Sequence, residues 1–330
     1  MKKKALILGA SGFIGNHLVA YLKEKGFYTI GVDIQPTIEG RSKADHFIQA
    51  DLREKESYTL FEIENIDRVY HLAANMGGAD FIFTQKNDVQ ILQDNLLIQV
   101  YFSKWIEKLK PKKVFFSSSA CIYPKEQQDG TKEFSLKEEM AYPANPDSAY
   151  GWEKLMAEIL YKAIRKSTNT KIYIGRFHNI YGSHCTWEGG REKAPAALCR
   201  KVIYAKDEES IEIYGDGQQK RSFLYIKDCL EAVEKLMESE YYKPINIGSE
   251  EVISIYDLAQ LIIKISGKNL KVTCIDGPVG VEARSSNNDK IKKILQWEAK
   301  TPLKIGLQNL YNWIFKEITH EKGINYMERK

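Results

Sequence analysis

The tightest constraint on this chain lies near its start. A short apolar run, Ala5 to Leu8, leads into Gly9-Ala10-Ser11-Gly12-Phe13-Ile14-Gly15, then into a helical pattern carried by Leu18 and Leu22 and stopped at Gly26. An apolar run without alternation is what a parallel strand buried on both faces requires. Glycines spaced three apart between such a strand and a helix let the backbone approach a pyrophosphate, which the N–H groups of the helix N-terminus hold. The next strand, Tyr28 to Val32, ends in Asp33, eighteen residues beyond Gly15. A carboxylate at that distance accepts hydrogen bonds from a ribose diol and repels a 2′-phosphate. No arginine follows Asp33 directly, so NAD is expected rather than NADP. The cradle is read as Gly9, Gly12, Phe13, Ile14 and Gly15, with Asp33 on the ribose.

The chain then alternates strand and helix. A strand from Phe47 to Ala50 ends in Asp51-Leu52, expected beside the adenine, and another from Arg68 to Leu72 runs into Ala73-Ala74-Asn75-Met76-Gly77-Gly78. Small residues after a strand let a ligand lie against the backbone, which places Ala73 on the cofactor and Gly77 and Gly78 on a substrate. A long helix over about 86–109 follows, with Asn95 turned to a neighbouring backbone or to solvent. The strand beginning at Val114 changes character abruptly into Ser117-Ser118-Ser119-Ala120-Cys121-Ile122-Tyr123-Pro124, the behaviour of an active-site edge at a strand C-terminus. In the next helix Tyr150 and Lys154 stand at i and i+4, on one face. A phenol is a poor base near its ordinary value of ~10. An adjacent ammonium and an oxidised nicotinamide favour its phenolate.

Composition narrows the class. With 330 residues, 43% apolar and 28% charged, the chain is large enough for two lobes and too apolar for disorder. A net charge of +4 with mixed signs gives no case for nucleic acid, though it suits an anionic substrate. Cys121, Cys185, Cys199, Cys229 and Cys274 show no CxxC spacing, which points to reduced thiols in a cytoplasmic protein without a zinc site or disulfide frame. The basic Met1-Lys2-Lys3-Lys4 precedes an apolar run that stops at Gly9, too soon for a secretory leader. No apolar stretch approaches the ~20 residues of a membrane span.

The Gly-rich loop with Ser119, Tyr150 and Lys154 resembles the extended short-chain dehydrogenase/reductase family of nucleotide-sugar enzymes over nearly the whole chain. Ala73–Gly78, Ser118–Pro124, Gly175–Gly182, Gly190–Ala197 and Gly277–Val281 resemble its branch of 3,5-epimerases acting on GDP-sugars. Asn75 stands where that branch leads one to expect an acid, and Ser183-His184-Cys185 replaces a Gly-Pro type of turn. The resemblance implies an α/β fold: a doubly wound parallel sheet of about seven strands with NAD at its switch point. It further implies a smaller C-terminal lobe for the nucleotide diphosphate, and a homodimer formed through helices of the cofactor lobe. The expected division is 1–176 plus about 222–250 for the cofactor domain, and about 177–221 plus 251–330 for the sugar-nucleotide lobe.

The implied chemistry is transient oxidation at C4, proton exchange at C3 and C5, and return of the hydride. Tyr150, Lys154 and Ser119 serve the oxidation, and Lys154 also binds the nicotinamide ribose. An epimerase needs an acid and a base on opposite faces, and Cys121 with Lys193 fits that need. Arg221 and Arg284 suit the diphosphate, since guanidinium binds it bidentately. Asn179, Trp187 and Glu192 are expected at the sugar, and Arg200, Lys201 and Lys220 on the surface. A 4,6-dehydratase would carry an Asp-Glu pair where Ala120-Cys121 stands. A 4-epimerase has no use for Lys193. A non-catalytic NAD sensor would show erosion of Ser119, Tyr150 or Lys154, and all three are present.

Overall fold

Strand Lys4–Leu8 is fully buried from Ala5 to Leu8, as a two-sided run demands. It lies within a seven-stranded sheet, seen in a computed structural model that describes residues 2–36, 43–129 and 135–321. From edge to edge the strands are Ile245–Ile247, Lys171–Phe177, Lys113–Ser119, Arg68–His71, Lys4–Leu8, Tyr28–Asp33 and His46–Gln49. Every neighbouring pair is parallel. Chain order reverses between Lys4–Leu8 and Arg68–His71, so the loops after these two strands flank the crevice where ligands of such sheets bind.

Helices Phe13–Glu24 and Ile226–Glu238 bury Leu18, Leu22, Val233 and Leu236 against one face of the sheet. Helices Asp88–Leu109 and Ala149–Ser167 bury Phe102, Ile106, Ala157 and Tyr161 against the other. A separate core joins helices Ala194–Tyr204, Ile255–Ser266 and Leu303–Glu321 through Leu198, Val202, Leu258, Ile262, Leu307 and Ile314. Ile291, Leu295 and Trp297 turn back to pack with the first core. A four-stranded sheet of Val252–Ser254, Lys220–Ser222, Ala283–Ser286 and Ser135–Leu136 sets Arg221 directly opposite Arg284. Among the described residues no helix is long and apolar enough to cross a membrane.

One buried ion pair fixes the elements that carry the chemistry. Glu158, on helix Ala149–Ser167, accepts two hydrogen bonds of 2.9 Å from Arg176 of the adjacent strand and one of 2.7 Å from Ser118. Arg176 also donates to the Tyr123 hydroxyl at 3.1 Å and to the Glu138 carbonyl at 2.8 Å. Helix, strand end and following turn are thereby tied to one guanidinium. Removing one partner of a buried pair strands the other charge. Arg176→Ala is therefore expected to lower stability by about 3–5 kcal/mol. A urea midpoint equal to that of the parent would show that the pair bears no such weight. Although burial pushes the Glu158 carboxyl up, Arg176 and Ser118 hold it below its ordinary value. Its contribution is thus present above the usual carboxylate range and is lost as pH falls below that range, through the lowered Glu158 value.

Candidate active site

A cavity of about 660 Å³ follows the crevice. Gly9, Gly12, Phe13, Ile14 and Gly15 line it at the start of helix Phe13–Glu24, which has no side-chain cap and no acid in its first turn. A Cβ on Gly15 would stand 1.9 Å from the Gly9 carbonyl oxygen, so only glycine lets the loop close on the helix. Asp33 accepts the backbone N–H of Ser11 and of Gln35, each at 2.9 Å. Burial raises its carboxyl pKa while these N–H groups pull it down. Asp51, Leu52 and Ala73 line the same cavity. The Asp51 charge is already paired, with Arg53 at 2.6 Å. An uncapped helix start and a carboxylate beyond the next strand fit a dinucleotide with its pyrophosphate at the helix and its ribose at Asp33.

Ser119, Tyr150 and Lys154 line the cavity together. The Ser148 hydroxyl accepts from the Gly151 N–H at 3.2 Å and starts the helix that sets Tyr150 and Lys154 one turn apart. Lys154 is 1% exposed, with Nζ 4.9 Å from the Phe116 ring centre and 5.5 Å from that of Tyr150. Burial lowers its pKa, and Glu153, with Oε2 at 3.9 Å, opposes the fall. For Tyr150 burial pushes the phenol well above its ordinary value, Cys121 and Glu153 add to this, and only a hydrogen bond with Ser119 works the other way. Burial is the main reason that protein groups alone do not lower this phenol, and the expectation from sequence counted on an oxidised nicotinamide as well. The sequence reading missed Glu153. Its Oε1 accepts from Gln99 Nε2 at 3.0 Å, and Gln99 in turn meets His71 Nε2 at 3.1 Å. Burial lowers the His71 pKa to about 3, which keeps this ring neutral.

Beyond Ser119 the chain makes a single turn, Ala120–Ile122, in which the Ser119 hydroxyl accepts from the Cys121 N–H at 3.1 Å. Gly151 packs against this turn, and a Cβ there would lie 2.1 Å from the Cys121 carbonyl oxygen. The thiol and the Tyr150 helix thus share one block. The Arg284 guanidinium donates to Cys121 Sγ at 3.2 Å and to Gln128 Oε1 at 2.6 Å, and pairs with buried Asp147. Asp147 was not singled out from sequence, and its ion pair spans 137 positions of chain, which no local pattern signals. Arg221 is bonded to the carbonyls of Val281 at 2.7 Å and Val279 at 3.0 Å. Burial and the facing Arg284 bring its pKa down to about 10. Two guanidiniums so placed repel each other, and an anion between them relieves the repulsion. Lys193 immediately precedes helix Ala194–Tyr204 and lines the cavity. Burial lowers its ammonium pKa, with Cys121 and then Cys185 working against the fall. Phe81, Ile82 and Ile91 pack around Cys121 and Tyr150 and exclude water from them.

Other residues singled out from sequence sit differently. Gly77 lines the cavity, whereas Gly78 does not. The Gly78 N–H donates to the Arg191 carbonyl at 3.0 Å, and a Cβ there would meet the Glu192 carbonyl at 2.1 Å, so it seats a loop. Glu192 accepts from the Gly190 N–H and from Arg200, both at 2.7 Å, which takes Arg200 off the free surface. Trp187 is buried in the core that joins helices Ala194–Tyr204, Ile255–Ser266 and Leu303–Glu321, since an indole in an apolar lobe gains more by packing than by lining a polar pocket. Asn179 donates to the Ser222 carbonyl at 3.0 Å. Asn95 is buried and faces backbone: it exchanges two hydrogen bonds, of 2.7 and 3.1 Å, with the main chain of Asn75.

Residues 5–248 match the NAD dependent epimerase/dehydratase family. The chain is 42% identical over 322 residues to GDP-mannose 3,5-epimerase of Arabidopsis thaliana, covering 97% of this chain and 84% of that protein. Its fold is similar to a UDP-glucose 4-epimerase of Thermotoga maritima solved with UDP-glucose, at TM-score 0.84 and 24% identity, covering 96% of this chain and 99% of that one. It is also similar to a Bacillus cereus UDP-glucuronic acid 4-epimerase solved with UDP-glucuronic acid and NAD, at TM-score 0.80 and 28% identity, with the same coverage. Cradle, Ser119–Tyr150–Lys154 group and matched profile agree, and the chain belongs to the NAD dependent epimerase/dehydratase family.

Proposed function

We propose that this protein is an NAD-dependent GDP-mannose 3,5-epimerase. The observation that carries the proposal is the setting of Tyr150, which packs with Cys121 in one cluster and lines the same cavity as Lys193. A plain 4-epimerase needs neither group. NAD, held by the Gly9–Gly15 cradle and Asp33, supplies the acceptor and donor of a hydride at sugar C4. Tyr150 takes the C4 hydroxyl proton and later returns it, Ser119 hydrogen-bonds that oxygen, and Lys154 binds the nicotinamide ribose. The C4 ketone acidifies the flanking C3–H and C5–H bonds. Cys121 and Lys193 then remove and deliver protons on opposite faces. Burial lowers the Lys193 pKa, which eases the release of a proton by this ammonium. Arg221 and Arg284 hold the diphosphate. Asn179, Trp187 and Glu192 shape the sugar wall through the elements they brace.

A panel of nucleotide sugars incubated in D₂O and read by NMR tests this. The expected result is deuterium at C3 and C5 of GDP-mannose, with new signals for the inverted sugars. Deuterium at neither carbon, or turnover confined to UDP-sugars, would overturn the reading.

A homodimer and a cytoplasmic location belong to the same proposal. Val89, Leu97 and Val100 of helix Asp88–Leu109 are exposed, as are Trp152, Met156 and Ile159 of helix Ala149–Ser167. Spacings of three, four and eight put each set on one helix face. A second copy covering this apolar surface would bury it, and sedimentation showing a monomer at micromolar concentration would refute the dimer. None of the five cysteines is in a disulfide, which suits a reducing compartment. Recovery of the protein from the periplasmic or secreted fraction would refute the location.

A further inference from the structure

We propose that Asn75 is a positioning residue, an amide clasp that fixes the Lys193 loop to the shell around the cofactor's adenine end. The proposal rests on the reading of Lys193 as a proton carrier. The Asn75 side chain faces two opposite charges and satisfies both. Its Oδ1 accepts from Arg191 Nη1 at 2.9 Å, and its Nδ2 donates to Asp94 Oδ2 at 2.8 Å. The other Asp94 oxygen accepts from Arg53 Nη1 at 3.2 Å, and Arg53 pairs with Asp51 at 2.6 Å. A continuous chain therefore runs Asp51–Arg53–Asp94–Asn75–Arg191, from the end of the cavity expected to hold adenine to the loop that carries Lys193.

Both ends of the clasp are anchored. Buried Asn95 pins the Asn75 main chain from both sides, at 2.7 and 3.1 Å, so the amide cannot drift. Arg191 stacks 4.1 Å over the Phe81 ring, and its carbonyl accepts from Gly78. Two residues later the Lys193 carbonyl starts helix Ala194–Tyr204 by accepting from Ala196 and Ala197, both at 3.0 Å. Lys193 is thus held from one side by its helix and from the other by Arg191, whose guanidinium meets the Asn75 amide at 2.9 Å and the Met76 carbonyl at 3.4 Å.

An amide suits this place, because its nitrogen donates to a carboxylate while its oxygen, a separate atom, accepts from a guanidinium. An acid at position 75 would set its carboxylate against Asp94, and the repulsion would turn the side chain off the line that joins Asp94 to Arg191. This accounts for asparagine at a position where sequence comparison led to an acid: in this chain the acid is Asp94, and the amide must stand opposite it. The clasp is therefore a matched pair, and exchanging its members should preserve it.

Two variants test this, Asn75→Asp and the reciprocal Asn75→Asp with Asp94→Asn. The first readout needs no turnover: hydrogen exchange of the backbone amides at 189–193 in NAD-loaded protein. The second is deuterium uptake at C3 and C5, set against the absorbance of the reduced nicotinamide. With Asn75→Asp, loop exchange should quicken about tenfold, the effect of losing one charge-assisted hydrogen bond. Deuterium uptake should fall by about the same factor, and nicotinamide reduction by no more than about twofold. The reciprocal double variant should restore both loop protection and deuterium uptake to within about threefold of the parent. Unchanged loop protection in Asn75→Asp, parallel losses in uptake and reduction, or a double variant no better than the single one each overturns the clasp. A parent protein that takes up no deuterium from any GDP-sugar overturns the epimerase reading instead, and the loop exchange still decides the clasp.

Discussion

Cys121→Ala is expected to cut deuterium uptake at C3 and C5 by about 10²–10⁴-fold, the range of a positioned acid or base. The oxidation at C4 should survive. Alanine keeps the backbone N–H that meets the Ser119 hydroxyl at 3.1 Å, so the serine is not released. Arg284 loses its contact to sulfur but retains Gln128 and Asp147, and stays in place. Reduced nicotinamide should consequently accumulate on GDP-mannose, because the ketone forms but cannot exchange. Parent-like deuterium uptake in this variant removes Cys121 from proton transfer.

Tyr150→Phe is expected to lose more, because it acts a step earlier. The hydroxyl is the only group proposed to move the C4 proton, and its removal should lower turnover by about 10²–10⁴-fold. The Ser119, Glu153 and Lys154 side chains remain, and the ring still packs with Phe81 and Ile91, so binding of NAD should persist. Both the absorbance change and the deuterium uptake should disappear together. The two variants therefore order the reaction: one stops exchange with oxidation intact, the other stops both. Continued uptake in Tyr150→Phe would place deprotonation before oxidation and break the scheme.

What could be read from sequence was local in the chain. The Gly9–Gly15 loop, Asp33 and the one-turn spacing of Tyr150 and Lys154 each lie within one strand–turn–helix unit, and the structure gathers them on one cavity. Cys121 was noticed because it lies two residues from Ser119. Its actual partner, Arg284, is 163 positions away and arrives on a strand of a different sheet. Glu153 escaped notice because an acid beside a lysine on a helix looks solvated, whereas here it is 1% exposed and held by Gln99. Trp187 and Glu192 carry residue types common in sugar sites, but one fills an apolar core and the other pairs with Arg200. Residue type speaks of what a side chain can do. Which of those options is taken depends on neighbours brought in by the fold.

The contact between Gly151 and the Cys121 turn has a kinetic consequence. With 2.1 Å between a notional Cβ and the Cys121 carbonyl, no side chain separates the helix bearing the Tyr150 hydroxyl from the turn bearing the thiol. On the proposed scheme the keto sugar forms beside the turn whose thiol is proposed to move its next proton. A short path between the two steps favours use of the labile ketone over its escape. Enlarging residue 151 would open that gap and show itself as leakage of free keto sugar into the medium.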